Sequence, residues 1–182
     1  MSWPRAGSDA DAVIERPRFA DLYAQHFDFV WRSLRHLGVL PPGLDDAVQE
    51  VWLTVHRRLE SFEARSAAST WLFGIALNVA RNHRRGRHRA GVVEPLPDDV
   101  VSDRPDPERV LVGQDAWQQV QRFLETLSEL QRAIFICALI EALSPAETAL
   151  AVGLDVQIVY RRVRALRRGF QRWLQRTGEK TP

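Results

Sequence analysis

Residues 91–109 limit what this chain can fold into. They hold Pro95, Pro97, Pro105 and Pro107 among six acids, with no apolar period. Proline removes a backbone donor and clashes with the preceding helical turn, so no helix runs through such a stretch, and it reads as a linker. On both sides of it apolar residues recur at spacings of three and four, the period of an amphipathic helix, and nowhere do they alternate as in a half-buried strand. The expected fold is therefore all-α: two small helical domains, residues 18–90 and 110–175, joined by a flexible linker over 91–109. Residues 1–17 are expected to form a loose N-terminal tail and 176–182 a C-terminal one. A length of 182 residues suits two such units.

In the first half, Phe19, Leu22, Tyr23, Phe27, Val30, Leu34 and Leu37 mark one helix, ended by Gly38 and the Pro41-Pro42-Gly43 cluster. A second carries Leu44, Val48, Val51, Trp52, Val55 and Leu59, with Asp45 and Asp46 in its first turn, where the helix dipole favours acids. A polar loop, 61–69, leads to a third helix with Ser69 or Thr70 as its N-cap and Leu72, Ile75, Ala76 and Val79 as its apolar face. In the second half, one helix is expected from about Val110 to Leu127. The next begins at the capping box Ser128 to Gln131 and runs to about Ala142. A short helix opens at a second capping box, Ser144 to Glu147, with Pro145 at its first position, and ends at Gly153. The last helix starts after Asp155, a plausible N-cap, with the stripe Val156, Val159, Val163, Leu166, Phe170 and Trp173.

Composition excludes several classes. The chain is 45% hydrophobic and 26% charged, as in ordinary globular proteins. Its single cysteine, Cys137, permits no internal disulfide and points to a reducing compartment. No apolar run approaches the ~18 residues of a membrane span, and no apolar stretch follows the N-terminal charge as in a signal peptide, so the expected compartment is the cytoplasm. Charge is distributed unevenly. Residues 96–130 carry three Arg against eight acids, whereas residues 131–182 carry nine Arg and Lys against four. Lys180 is the only lysine among 25 cations. Arginine forks match phosphates and guanine edges, but GC-rich codon usage produces the same bias, so position has to carry the argument.

No catalytic residues, metal site or cofactor are expected. His83 and His88 are five apart and do not converge on one ion, and the other histidines are scattered. There is no phosphate-cradling Gly-rich loop, Gly-x-Ser-x-Gly or His-Glu-x-x-His motif. Two constellations suit nucleic acid instead. The capped short helix, the turn Gly153-Leu154-Asp155 and the longer helix have helix-turn-helix anatomy. Projected at ~100° per residue, Gln157, Arg161, Arg164 and Arg168 lie opposite its apolar stripe, flanked by Tyr160 and Arg167, a face suited to the major groove. On the third helix Gly74, Asn78, Arg81, Arg85 and His88 gather opposite the apolar face, with Trp71 at the boundary. Arginines, an asparagine and an edge aromatic suit phosphates and stacked single-stranded bases, while a core Trp71 and a solvated Arg cluster is the plainer reading of that helix alone.

Together these residues resemble one known family, the extracytoplasmic-function (ECF) sigma factors of bacterial RNA polymerase. The run Asp45 to Trp52 is similar to the family's core-polymerase-binding helix. Ser69-Thr70-Trp71-Leu72-Phe73, then Ile75-Ala76 and Asn78-Val79-Ala80, is similar to its −10 segment. Leu127 to Gln131, then Leu143-Ser144, Glu147, Ala149, Gly153-Leu154, Val159 and Arg162, is similar to its −35 helix-turn-helix. The resemblance implies a transcription initiation factor with no catalytic activity of its own. Asp46, Gln49, Glu50, Trp52 and Leu53 would meet the β′ clamp helices of core RNA polymerase. Arg65, Ser66, Ser69, Thr70, Trp71, Asn78, Arg81, Asn82 and Arg85 would hold the melted −10 strand. Gln157, Tyr160, Arg161, Arg164, Arg167 and Arg168 would read the −35 duplex. An anti-sigma protein often masks such factors, though no residue here identifies one.

The chain departs from the family's pattern at Ile158 to Arg162 in the recognition helix, at Thr148 and Leu150 before it, and at Asn82. The −35 sequence therefore cannot be copied from relatives, and Thr148 is expected to loosen its helix. Two alternatives remain at this stage: a helix-turn-helix regulator acting without polymerase, and a sigma mimic that sequesters an anti-sigma protein.

Overall fold

The computed structural model describes residues 17–62, 67–89 and 114–178. Its helices are α1 (Phe19–His36), α2 (Gly43–Arg58), α3 (Ala68–Arg89), α4 (Gln114–Glu125), α5 (Glu129–Phe135), α6 (Pro145–Val152) and α7 (Val156–Gly178). A 3-10 turn, Leu59–Ser61, follows α2, and a π turn, Ile136–Ile140, prolongs α5. Among the described residues there is no strand. The all-α architecture with a C-terminal helix-turn-helix is the expected one. The linker over 91–109 and the N-terminal residues 1–16 lie outside the described residues.

Helices α1, α2 and α3 pack against one another. Their core is the expected apolar face of each: Leu22, Val30 and Leu34 on α1; Leu44, Val48, Val51 and Val55 on α2; Leu72, Ile75, Ala76 and Val79 on α3. Phe73, Leu77 and Ala80 are buried too, so α3 is covered over far more of its circumference than an amphipathic stripe requires. Gly38 ends α1 with φ +90°, a conformation that only glycine adopts cheaply. A Cβ there would also lie 2.6 Å from a guanidinium nitrogen of Arg132, which comes from the other half of the chain.

In the second half α7 is the backbone on which α4, α5 and α6 lie. Phe123, Phe135 and Phe170 form a ring cluster with centroid separations of 5.0–5.5 Å, and Trp173 joins it 5.8 Å from Phe123. Both capping boxes close as expected. Ser128 and Ser144 accept from the backbone N–H of Gln131 and Glu147, whose side chains accept in return from the two serine N–H groups. Those bonds hold the Glu147 carboxyl below its ordinary pKa. Gly153 caps α6 in the left-handed region at φ +70°.

Three boundaries differ from the sequence pattern. Helix α3 starts at Ala68, so Ser69 and Thr70 stand inside its first turn rather than at the cap. The helix expected to run to Ala142 gives way to the π turn, and Ala142 itself has φ +52°. Helix α7 continues to Gly178, three residues into the expected tail.

The two halves are packed together rather than apart. Their buried side chains form one continuous cluster, and α3 lies along α6. His36 at the end of α1 meets Trp117 of α4 with ring centroids 4.8 Å apart. Arg32 reaches Glu141 at 3.7 Å, and Arg81 pairs with Glu129 at 2.7 Å. Burial, with Arg35 and Arg32 nearby, pushes the His36 pKa down to about 3.

Two predictions follow from this packing. His36 is held neutral in the fold but takes a proton at its ordinary pKa of about 6.5 when unfolded. Its contribution is therefore intact above that pH and declines between about 6.5 and 3, by at most about 1.4 kcal/mol per pH unit. Urea melts across this range should flatten in His36→Gln. Thr148 is fully buried and its hydroxyl has no hydrogen-bond partner. Thr148→Val should raise stability by about 1 kcal/mol, seen as a higher Tm; a lower Tm would mean that the hydroxyl is satisfied.

Candidate nucleic-acid and polymerase interface

The recognition face begins with a cap. The Asp155 carboxylate accepts from the Gln157 N–H at 2.7 Å, which fixes where α7 starts and so which residues face outward. Val159 is fully buried and Leu166 nearly so, anchoring one side of the helix. On the other, Gln157, Tyr160, Arg161, Arg164, Arg167 and Arg168 are all exposed, Tyr160 by 54% despite its large ring. Among the described residues no acid pairs with any of these four arginines. Like charges left unpaired along one helix repel. A polyanion laid across them relieves that repulsion.

Helix α3 offers a narrower surface. Burial of Leu72, Phe73, Ile75, Ala76, Leu77, Val79 and Ala80 leaves one accessible strip. On it Asn78, Asn82 and Arg85 are exposed. Trp71 is half-buried, its ring tilted against Phe62 with centroids 4.7 Å apart. Two of the expected nucleic-acid residues are not free. Thr70 is 1% exposed, and Arg81 is engaged by Glu129. Arg65 and Ser66 lie outside the described residues.

On α2, Asp46, Gln49, Glu50 and Leu53 fall at spacings that share one face. Asp46 and Gln49 are exposed, and Leu53 is 49% exposed, an apolar side chain set among acids and amides. Trp52 is a correction. It is only 5% exposed, because its ring is packed between Phe19 and Tyr23 with centroids 5.9 and 4.8 Å away. It supports this face from beneath instead of presenting itself. Glu50 is not free on this face, since its carboxylate meets the His83 ring of α3 at 3.1 Å.

Sequence reasoning missed Tyr23, Glu129 and His83. Tyr23 was placed in the core stripe by its spacing, yet 42% of it is exposed beside Trp52. The partners of Glu129 and His83 lie 48 and 33 residues away, a separation that no local pattern encodes. Cys137 is chemically quiet: burial, with Glu141 nearby, pushes its thiol far above the ordinary range. No helix among the described residues is long and apolar enough to cross a membrane.

Residues 22–90 match the family described as Sigma-70 region 2. The ECF RNA polymerase sigma factor SigM of Mycobacterium tuberculosis is 30% identical over 145 residues, covering 79% of this chain and 70% of that protein. The RNA polymerase sigma factor CnrH of Cupriavidus metallidurans is 27% identical over 188 residues, covering 94% and 98%. Among solved structures, CnrH in complex with the cytosolic domain of CnrY superposes with a TM-score of 0.62 at 24% identity, covering 86% of this chain and 87% of that one. The sigma factor RpoE in complex with the anti-sigma factor NepR, from Bartonella quintana, gives 0.68 at 21% identity, covering 86% and 96%. Capped helix-turn-helix, three-helix N-terminal unit and sequence likeness converge: the chain belongs to the ECF sigma factors of RNA polymerase.

Proposed function

We propose that this chain binds core RNA polymerase through α2, reads the −35 duplex with α7 and holds the melted −10 strand on α3, with no catalytic activity of its own. The observation that carries this reading is the unpaired arginine face of α7, set at a defined angle by the Asp155 cap and the buried Val159. The N-terminal part of a recognition helix enters the major groove, which makes Gln157 and Arg161 the base readers, with Tyr160 beside them. Arg164, Arg167 and Arg168 lie farther along and hold phosphates. Phosphate contacts supply affinity and base edges supply sequence preference.

On α3, Asn78, Asn82 and Arg85 are open to the displaced strand, with Trp71 and Phe62 as the aromatic edge. On α2 the docking surface is Asp46, Gln49 and Leu53, with Glu50 shared between the polymerase and His83. RpoE, which has this fold, is solved with the anti-sigma factor NepR, and a partner of that class forms part of the proposal.

Two experiments test it. In a promoter-library selection with core polymerase, Arg161→Ala should relax preference at one −35 base, since a bidentate base contact discriminates by ~1–3 kcal/mol. Arg168→Ala should weaken all promoters about equally and reduce the salt slope by ~1. An unchanged −35 preference in Arg161→Ala would show that another residue reads the base. For α2, Leu53→Arg should weaken co-purification with core polymerase without changing Tm, because an exposed substitution moves stability by less than ~0.5 kcal/mol. It is a cleaner probe than Glu50→Arg, which also removes the bond to His83. Full retention of core binding by Leu53→Arg would discard this surface.

A further inference from the structure

Asp46, Gln49, Glu50 and Leu53 do not stand alike on the α2 face. At ~100° per residue, Gln49, Leu53 and Asp46 span about 60°, and Glu50 lies about 40° beyond Asp46, at one edge. That edge is turned toward α3, where the His83 ring meets it: Glu50 Oε2 lies 3.1 Å from His83 Nε2. A Cβ built on Gly43, two turns before Glu50 and on the same side of the helix, would stand 3.7 Å from His83 Nδ1. Helical side chains lean toward the N-terminus. The Glu50 carboxylate therefore reaches back over the first turn of α2, to the ring that packs there.

A carboxylate only accepts, so the hydrogen of this bond sits on His83 Nε2. The bond occupies Oε2. No described hydrogen bond occupies Oε1, and the Glu50 side chain is 46% exposed. The carboxylate is thus held at one oxygen and open at the other. An unheld glutamate spreads over many rotamers, and ordering it against a partner costs affinity. A carboxylate already fixed in place avoids much of that cost. The His83 side chain is itself 25% exposed, so water reaches the pair and the pair adds little to stability. Its effect lies in where it holds the carboxylate.

We propose that His83 is a positioning residue for polymerase binding: its Nε2–H holds Glu50 by Oε2, so that Oε1 faces a cationic donor on the polymerase. This rests on the assignment of α2 as the polymerase-docking face. His83 acts through Glu50 alone.

The test measures equilibrium binding of the full chain, fluorescein-labelled at its N-terminus, to purified core RNA polymerase, with Tm recorded for every variant. His83→Phe keeps a ring over Gly43 and removes the donor; it should weaken binding severalfold with Tm little changed. His83→Ala, without the ring, should weaken binding as much. His83→Gln, whose amide supplies an N–H donor, should recover most of the loss. Glu50→Ala should weaken binding by itself, and in its background His83→Phe should cost nothing further. Unchanged binding by His83→Phe would overturn the proposal. So would a His83→Gln variant as weak as His83→Phe. Equal losses from His83→Phe with and without Glu50 would show that the ring acts by packing, which also overturns it.

Leu53→Arg separates the proposal from the reading beneath it. If Leu53→Arg weakens binding while His83→Phe or Glu50→Ala does not, α2 docks the polymerase and the role of His83 is wrong. If Leu53→Arg and Glu50→Ala both leave binding intact, the docking face lies elsewhere and the proposal falls with it.

Discussion

Everything in this molecule is arranged around the burial of α3. A helix that offers apolar or small side chains over most of its circumference must be enclosed, and α1, α2 and α6 enclose it. At ~25 cal/mol per Å² of apolar surface, side chains the size of Leu72, Phe73, Leu77 and Val79 are worth ~1.5–3 kcal/mol each when fully covered. That enclosure leaves a strip on which Asn78, Asn82 and Arg85 are exposed. The burial that stabilises the N-terminal half therefore also decides which polar residues of α3 are available. Through His83 and Glu50, the same helix is tied to the exposed face of α2.

Most of the fold could be read from periodicity because its determinants are local. Serine followed three residues later by Gln or Glu places a helix start whatever the tertiary context, and both boxes close. The arginine face of α7 was equally legible, since the apolar stripe of Val159 and Leu166 fixes by rotation what must point outward. Periodicity fails where a residue's environment is set from far away. Trp52 and Tyr23 both satisfy the apolar stripe of their helices, yet one is enclosed and the other is 42% exposed, because each depends on how α1 lies over α2. Arg81 looked free on its own helix and is paired with a residue 48 positions distant. The π turn at Ile136–Ile140 carries no signature that distinguishes it from ordinary helix.

Electrostatics divides the chain by role. The arginines of α7 are exposed and without described acidic partners, as suits a polyanion surface. Those at the contact between the halves are committed: Arg32 to Glu141, Arg81 to Glu129, and Arg132 to the Leu124 carbonyl at 3.0 Å while it packs over Gly38. His36 sits in the same region as a neutral ring against Trp117, its charge excluded by burial and by Arg35 and Arg32. Contacts between the halves thus mix apolar burial with ion pairs and a titratable ring, whereas the α7 face holds its cations in reserve.

The central claim is that this geometry serves promoter-directed initiation by polymerase. Reconstituted run-off transcription on a panel of genomic promoters, with purified core polymerase and the full-length chain, tests it most directly. The account expects transcripts only when both are present, starting at a fixed distance downstream of one shared duplex element. A chain that binds a palindromic duplex by itself and yields no transcripts with core polymerase would contradict it.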